Sequence, residues 1–254
     1  MSVAVTIEGP LAWISVHRPE ARNAMTFAMH DKFRDACERV EGEPAVRVAV
    51  VRGGGGTFIA GTDIAEFASV RTDQDALAYE RRIDAVVGGL ERMTKVTIAM
   101  IEGHATGGGL AIALVCDLRF AASNARLGIP IARTLGNCLS MANYARVVDA
   151  VGPLRAKELL LTARLLSADE AHAVGLVSAV AAPDDLERRV REEAEAIATY
   201  APLTIQITKE AIRRILERRR VQGDDLIVRA YTSEDFREGV RAFLDKRAPV
   251  WQGR

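Results

Sequence analysis

Residues 46–53, VRVAVVRG, read as a continuous apolar strand of the kind buried on both faces, and the glycine-rich stretch GGGGTFIAGTDIAEF follows it directly. A second such strand, KVTIAMIEG (95–103), leads into GHATGGGLAIALV, where three glycines open an apolar helical segment. Strand, helix, strand, helix with glycine turns at the strand ends is the strongest constraint on this chain. It predicts an α/β architecture.

The flanking segments fit that frame. VAVTIEG and LAWISV are β-rich runs around Gly9-Pro10, a predicted hairpin. Thr26 precedes a helical pattern that places Met29, Phe33, Cys37 and Val40 on one face, and a longer amphipathic helix carries Tyr79, Ile83, Val86, Leu90 and Met93 on one stripe. LRFAAS and ARLGIP read as short strands. From Asn137 onward the pattern is helical except for a strand at GLVSAV (175–180), with helices expected over 184–200, 203–219 and 224–245. The chain is therefore divided into a core over 1–183 and a helical C-terminal region over 184–254.

Composition excludes several function classes. With 254 residues, 49% of them hydrophobic, the chain can bury a substantial core. Its 34 basic and 34 acidic residues leave no net charge, which argues against a nucleic-acid partner. The densest basic run, Arg213 to Arg220, falls in a helical pattern with Ile212, Ile215 and Leu216 and reads as a solvated face. Cys37, Cys116 and Cys138 have no metal-ligand or redox spacing, and the first two read as small buried hydrophobes. Neither a signal-peptide pattern nor an apolar run of about 20 residues is present, so the expectation is a cytoplasmic protein with no membrane partner.

The glycine loops do not read as nucleotide sites. RGGGGTF has Phe58 where the last glycine of a dinucleotide fingerprint belongs, and GHATGGGL lacks the Lys-Ser/Thr pair of a phosphate loop. Metal-ligand motifs are absent from the sequence, so no metal is expected, and Ser123 and Ser140 lack a nucleophile-elbow context. His17, His30 and His172 read as structural or surface residues, whereas His104, beside the triple glycine, is a site candidate. What remains is backbone. FIAGTDI follows one strand and GGGL starts a helix after another, where N–H groups lack intrahelical acceptors and lie at the positive end of the helix dipole. Two such groups converging on one point make an oxyanion hole.

The segments HRPEARNAM (17–25), FIAGTDIAEF (58–67), IEGHATGGGLAIALVCDLRFAAS (101–123), LGIPIARTLG (127–136), ADEAHAVGLVSAV (168–180) and SEDFREGVRAFLDKRAPVWQGR (233–254) together resemble the crotonase superfamily, the enoyl-CoA hydratase/isomerase family, along nearly the whole chain. The resemblance implies a β/α spiral core with a helical C-terminal region, assembled as a homotrimer or homohexamer. It implies a lyase or isomerase of fatty acid metabolism acting on acyl-CoA thioesters, with coenzyme A as part of the substrate and no separate cofactor. Matched residue by residue, the two oxyanion-hole N–H groups belong to Ala60 and Gly108. The coenzyme A contacts match Arg22, Ala24, Ala60, Asp63 and Ile64, with Lys246 and Arg247 near the 3′-phosphate.

One departure from the family pattern bears on the reaction. The hydratases use two glutamates, and the matching positions here are Ala111 and Ile131. Neither side chain exchanges protons, so two-glutamate hydration is not expected. The following segment, ARTLGNCLSMANY, supplies Arg133, Asn137, Cys138 and Ser140 as polar candidates beside His104. Asn137 reads alternatively as a helix N-cap, Cys138 as core packing and Ser140 as a turn or first-helical-turn residue. Isomerisation, decarboxylation, retro-type cleavage and thioester hydrolysis remain open, as does a protein that binds acyl-CoA without turning it over.

Overall fold

A computed structural model describes residues 2–218 and 221–254. Met1, and Arg219 and Arg220 of the basic run, lie outside the described residues, as does the last residue of the helix expected over 203–219.

The chain opens on the expected hairpin. Strands β1 (Ser2–Glu8) and β2 (Leu11–His17) pair antiparallel, with Gly9 at φ +59° supplying the left-handed turn. Helix α1 (Phe27–Glu41) begins at Thr26, whose hydroxyl caps the Met29 N–H, and it buries Met29, Phe33, Cys37 and Val40 together with His30. Strand β3 (Val48–Gly53) is buried from Val48 to Val51, as an apolar run without alternation requires.

After the glycine loop come a 3-10 turn (Ile64–Ser69), helix α2 (Asp73–Glu91) and strand β4 (Val96–Ile101). Then follow strand β5 (His104–Thr106), helix α3 (Gly108–Val115), and strands β6 (Leu118–Ala122) and β7 (Arg126–Gly128). A single helical turn, α4 (Ile131–Thr134), precedes α5 (Met141–Thr162), which is kinked where Gly152, at φ +74°, meets Pro153. Strand β8 (Leu166–Ser167), helix α6 (Ala168–Ala173) and strand β9 (Ala179–Ala181) lead into helices α7 (Pro183–Ala198) and α8 (Pro202–Glu217). The chain ends with α9 (Asp224–Tyr231) and α10 (Glu234–Leu244). The single helix expected over 224–245 is thus two. The break falls at Thr232–Ser233, because the Ser233 hydroxyl accepts the Phe236 N–H and starts a new helix.

Six strands form one sheet in the order β1-β2-β3-β4-β6-β9, parallel except for the hairpin, and β5, β7 and β8 form a second. One face of the large sheet packs on α1, α2 and α3, and the other takes Leu186, Val190 and Ala194 of α7. A third apolar cluster joins Phe67 and Val70 of the 3-10 turn and Ala76 of α2 to Ile227, Tyr231, Phe236 and Val240 of α9 and α10. The C-terminal helices are thereby brought back over the segment that follows β3. Among the described residues, no helix is long and apolar enough to cross a membrane.

Candidate active site

The loop after β3 is held by a buried asparagine. Asn23 is fully buried at φ +58°. Its Nδ2 donates to the carbonyls of Gly54 (2.9 Å), Thr57 (2.7 Å) and Phe58 (3.0 Å), while its Oδ1 accepts the Arg18 N–H. Arg18 in turn bonds Asp63 at 2.6 Å, and Asp63 caps the 3-10 turn through the Ala65 N–H. The HRPEARNAM segment therefore fixes the position of residues 54–63 against α1.

That arrangement decides which amides are free. The Ala60 N–H, expected in the oxyanion hole, donates instead to the Arg22 carbonyl at 3.1 Å. The bridge between Met25 and Thr62 uses Met25 N–H to Gly61 C=O and Asp63 N–H to Met25 C=O, and it leaves the intervening Thr62 N–H without an acceptor among the described residues. Thr62 thus replaces Ala60 as the residue with the available amide. Two bridging hydrogen bonds turn alternate peptide groups in opposite directions, so the free donor falls two residues further on.

Each glycine of the triple has its own setting. Gly107 sits at φ 55°, ψ −123°, outside the range of side-chain-bearing residues, and its N–H donates to the Gly128 carbonyl. A Cβ on Gly109 would lie 1.9 Å from the Ile59 carbonyl oxygen, so α3 and the loop after β3 touch through bare backbone. Gly108 differs from both. A Cβ there would meet nothing closer than Gly61 Cα at 3.8 Å, with Thr62 N at 4.0 Å. As the first residue of α3, at the positive end of the helix dipole, its N–H has no acceptor among the described residues.

Both residues line one pocket of about 100 Å³, with Ile64, Phe67, Tyr79 and Ile83 on one side of the chain and Ala111, Ile131 and Leu135 on the other. Thr62 is braced from behind. Its hydroxyl lies 3.0 Å from Tyr79 Oη and 3.3 Å from His30 Nε2, and burial pushes the His30 pKa down to about 4, so the imidazole is neutral.

The polar groups of the pocket are not those the sequence singled out first. Asn137 lines it and is not a helix cap: that role falls to Ser140, whose hydroxyl accepts the Asn143 N–H. Cys138 lines it too, with its thiol pushed up to about 12 by burial and by the Glu80 charge, which leaves it protonated. His104 does not line the pocket. Extended β5 carries it away from the start of α3, and its imidazole, shifted down from 6.5 by partial burial, has Arg22 and Arg126 as its charged neighbours. Arg22, Ala24, Asp63 and Arg133 also lie outside the lining, and Lys246 is exposed beyond the end of α10.

Sequence reasoning passed over Glu80 and Tyr231. Glu80 is 4% exposed and accepts hydrogen bonds from the Tyr231 hydroxyl and the Ser140 N–H, and Asn137 Nδ2 donates to Tyr231 Oη at 2.9 Å. Since the Tyr231 hydroxyl gives its proton to Glu80, its oxygen must accept, which fixes the Asn137 amide and leaves Oδ1 buried without a partner. The signal for Glu80 was in the sequence. Ala76, Glu80, Ile83, Val87 and Leu90 recur at helical spacing and are all buried, so a carboxyl occupies the apolar stripe of α2. No cluster of metal-ligating side chains occurs among the described residues.

A parallel sheet that delivers two free amides to one apolar pocket, at the start of a glycine-opened helix, defines the crotonase class of fold. The enoyl-CoA hydratase/isomerase family model matches residues 6–254, and the chain belongs to that family. It is 34% identical over 245 residues to the crotonyl-CoA hydratase of Syntrophomonas wolfei, with 94% of each chain covered. It is also 34% identical over 266 residues to the (E)-benzylidenesuccinyl-CoA hydratase of Thauera aromatica, with 100% of each covered. Among solved structures it superposes on a methylmalonyl-CoA decarboxylase in complex with 2-nitronate-propionyl-CoA with a TM-score of 0.91 at 28% identity, covering 100% of this chain and 99% of that one.

Proposed function

We propose that this chain is an enzyme acting on acyl-CoA thioesters, with the thioester oxygen held between the N–H groups of Thr62 and Gly108. One observation carries the reading: of the three glycines, Gly108 alone has neither a left-handed backbone nor a close neighbour to explain it, and its unpaired N–H opens on the pocket beside that of Thr62. A backbone donor stabilises an enolate only where no side chain blocks the oxygen, and a bare helix start meets that need.

The reaction proposed is not two-glutamate hydration. Ala111 and Ile131 occupy the pocket wall where the family resemblance places the hydratase carboxylates, and neither can move a proton. Arg22, Ala24, Asp63, Ile64 and Lys246 are proposed to contact coenzyme A, and Arg22 with Arg126, on either side of the neutral His104 imidazole, supplies positive charge suited to its phosphates. A homotrimer or homohexamer is proposed from α8, which buries no residue and leaves Leu203, Ile207, Ile212 and Ile215 more than half exposed on an amphipathic helix. Sedimentation velocity checks the assembly.

The test of function is a panel of enoyl-, malonyl-type and aryl-CoA thioesters, with products followed by mass spectrometry. Turnover of one class, with crotonyl-CoA hydration far below the rate of two-glutamate enzymes, is the expected result. Fast crotonyl-CoA hydration overturns the reading of Ala111 and Ile131. Tight binding without turnover across the panel replaces the enzyme with a non-catalytic acyl-CoA-binding protein.

A further inference from the structure

The carboxyl that the pocket lacks at positions 111 and 131 is present elsewhere on its wall. Glu80 lines the acyl pocket and also lines a second crevice, of about 240 Å³, between α2, α5 and the start of α9. It is therefore a shared wall between an apolar chamber and a polar one, the latter bordered by Arg81, Asp84, Ser140 and Asp224. Its neighbour in sequence, Tyr79, touches the Thr62 hydroxyl, so one turn of α2 braces the proposed oxyanion hole and presents the carboxyl.

We propose that Glu80 is the catalytic proton carrier of this pocket, taking a proton from the acyl carbon next to the thioester and exchanging it with water through the crevice behind. The inference rests on the acyl-CoA reading above. In the step, the Cα–H bond breaks and its electron pair enters the thioester as an enolate. The negative charge comes to the oxygen facing Thr62 and Gly108, and the proton goes to a Glu80 oxygen. Return of a proton or solvent deuteron to carbon regenerates the thioester and the carboxylate, so no other reactant is needed.

The surroundings suit a group that works in both protonation states. Burial raises the Glu80 pKa from 4.5 to about 7, against the Tyr231 and Ser140 donors, which favour the carboxylate. Asp84 on the same helix, Tyr79 beside it, Cys138 and Tyr144 from the 138–144 segment and Tyr231 from α9 are its titratable neighbours. Farther along the same α2–α5 seam, Arg146 pairs with Glu91 at 2.8 Å and approaches Asp84 at 3.8 Å, so two carboxyls of α2 share one buried guanidinium. Tyr231 is a positioning residue: its hydroxyl holds the carboxyl, and Asn137 holds the hydroxyl.

The experiment is deuterium wash-in at Cα of butyryl-CoA, 3-butenoyl-CoA and phenylacetyl-CoA in D2O, read by mass spectrometry, with acyl-CoA affinity measured separately by calorimetry. The wild-type protein should exchange at least one probe, with a rate that rises with pH through a midpoint of about 7. Glu80→Gln should lower exchange by about 100-fold or more while affinity stays within about threefold. Tyr231→Phe removes a donor to the carboxylate, so its midpoint should move upward, which a purely structural role would not produce; this arm also decides the matter if Glu80→Gln fails to fold. No exchange by the wild-type protein, or a Glu80→Gln rate equal to wild type, overturns the proposal. Exchange lost in Gly108→Pro but kept in Glu80→Gln refutes Glu80 and leaves the thioester reading standing, whereas absence of acyl-CoA binding refutes that reading itself.

Discussion

Replacing Gly108 by proline isolates a single backbone donor. Gly108 is the first residue of α3, the helical position where proline is best tolerated because its N–H has no intrahelical acceptor. Its φ lies outside the left-handed region, and the added Cβ meets only Gly61 Cα at 3.8 Å, Thr62 Oγ1 at 3.9 Å and Thr62 N at 4.0 Å, all ordinary contacts. The neighbouring bonds, Gly107 N–H to Gly128 C=O and Ala111 N–H to Gly107 C=O, are untouched. Stability should therefore change by less than about 1 kcal/mol, since no protein hydrogen bond is lost. Catalysis should lose about 3 kcal/mol of transition-state stabilisation, or roughly 100- to 1,000-fold in kcat, because the donor gone is one of a pair aimed at the developing charge. Gly108→Ala is the control: it keeps the N–H and adds only a methyl on the pocket side, so its loss should be smaller. The assay is single-turnover mass spectrometry on whichever thioester the panel identifies, with melting temperatures recorded beside it. A folded Gly108→Pro protein with kcat within about threefold of wild type would refute the oxyanion-hole reasoning.

Other substitutions probe what holds the site. Gly109→Ala puts a methyl 1.9 Å from the Ile59 carbonyl oxygen, so it should fold poorly or melt far lower than Gly108→Ala in the same thermal scan. Asn23→Asp sets a carboxylate against three carbonyl oxygens, and urea unfolding should report a loss of about 3 kcal/mol or more. His30 has a folded pKa of about 4, below its ordinary 6.5. The unfolded chain therefore takes up that proton first, and stability is lost as pH falls from 6.5 through about 4, by an amount on the order of 3 kcal/mol. His30→Gln should remove this component from a pH series of urea melts.

Much of the fold was legible because it is written in local periodicity. The unbroken run at Val48–Val51, the stripe from Met29 to Val40 and the Gly9-Pro10 turn each follow from the side chains of a few consecutive residues. The two-residue strand β8 carries no such pattern, and the break at Thr232–Ser233 was hidden inside a continuous helical stripe. The site divides along the same line. The bare helix start at Gly108 was readable because three glycines run straight into an apolar helical segment. That the free amide of the loop after β3 falls at Thr62 and not at Ala60 was not legible, because it depends on the Arg22 carbonyl, about 40 positions away in the chain. Glu80 was visible as a charge in an apolar stripe, yet its meaning needed Tyr231, 151 positions further on.

In the proposed function the charge-stabilising element of the pocket is made of amides, and that has a consequence for how such a protein changes over generations. Thr62 and Gly108 contribute main-chain atoms, so most substitutions around them leave the donors in place, whatever happens to the side chains at 80, 111, 131 or 137. Descent can then trade one proton carrier for another, or discard it, without passing through an ancestor that has lost its hold on the thioester oxygen. In such a lineage the reaction is the variable character and the anion site the inherited one.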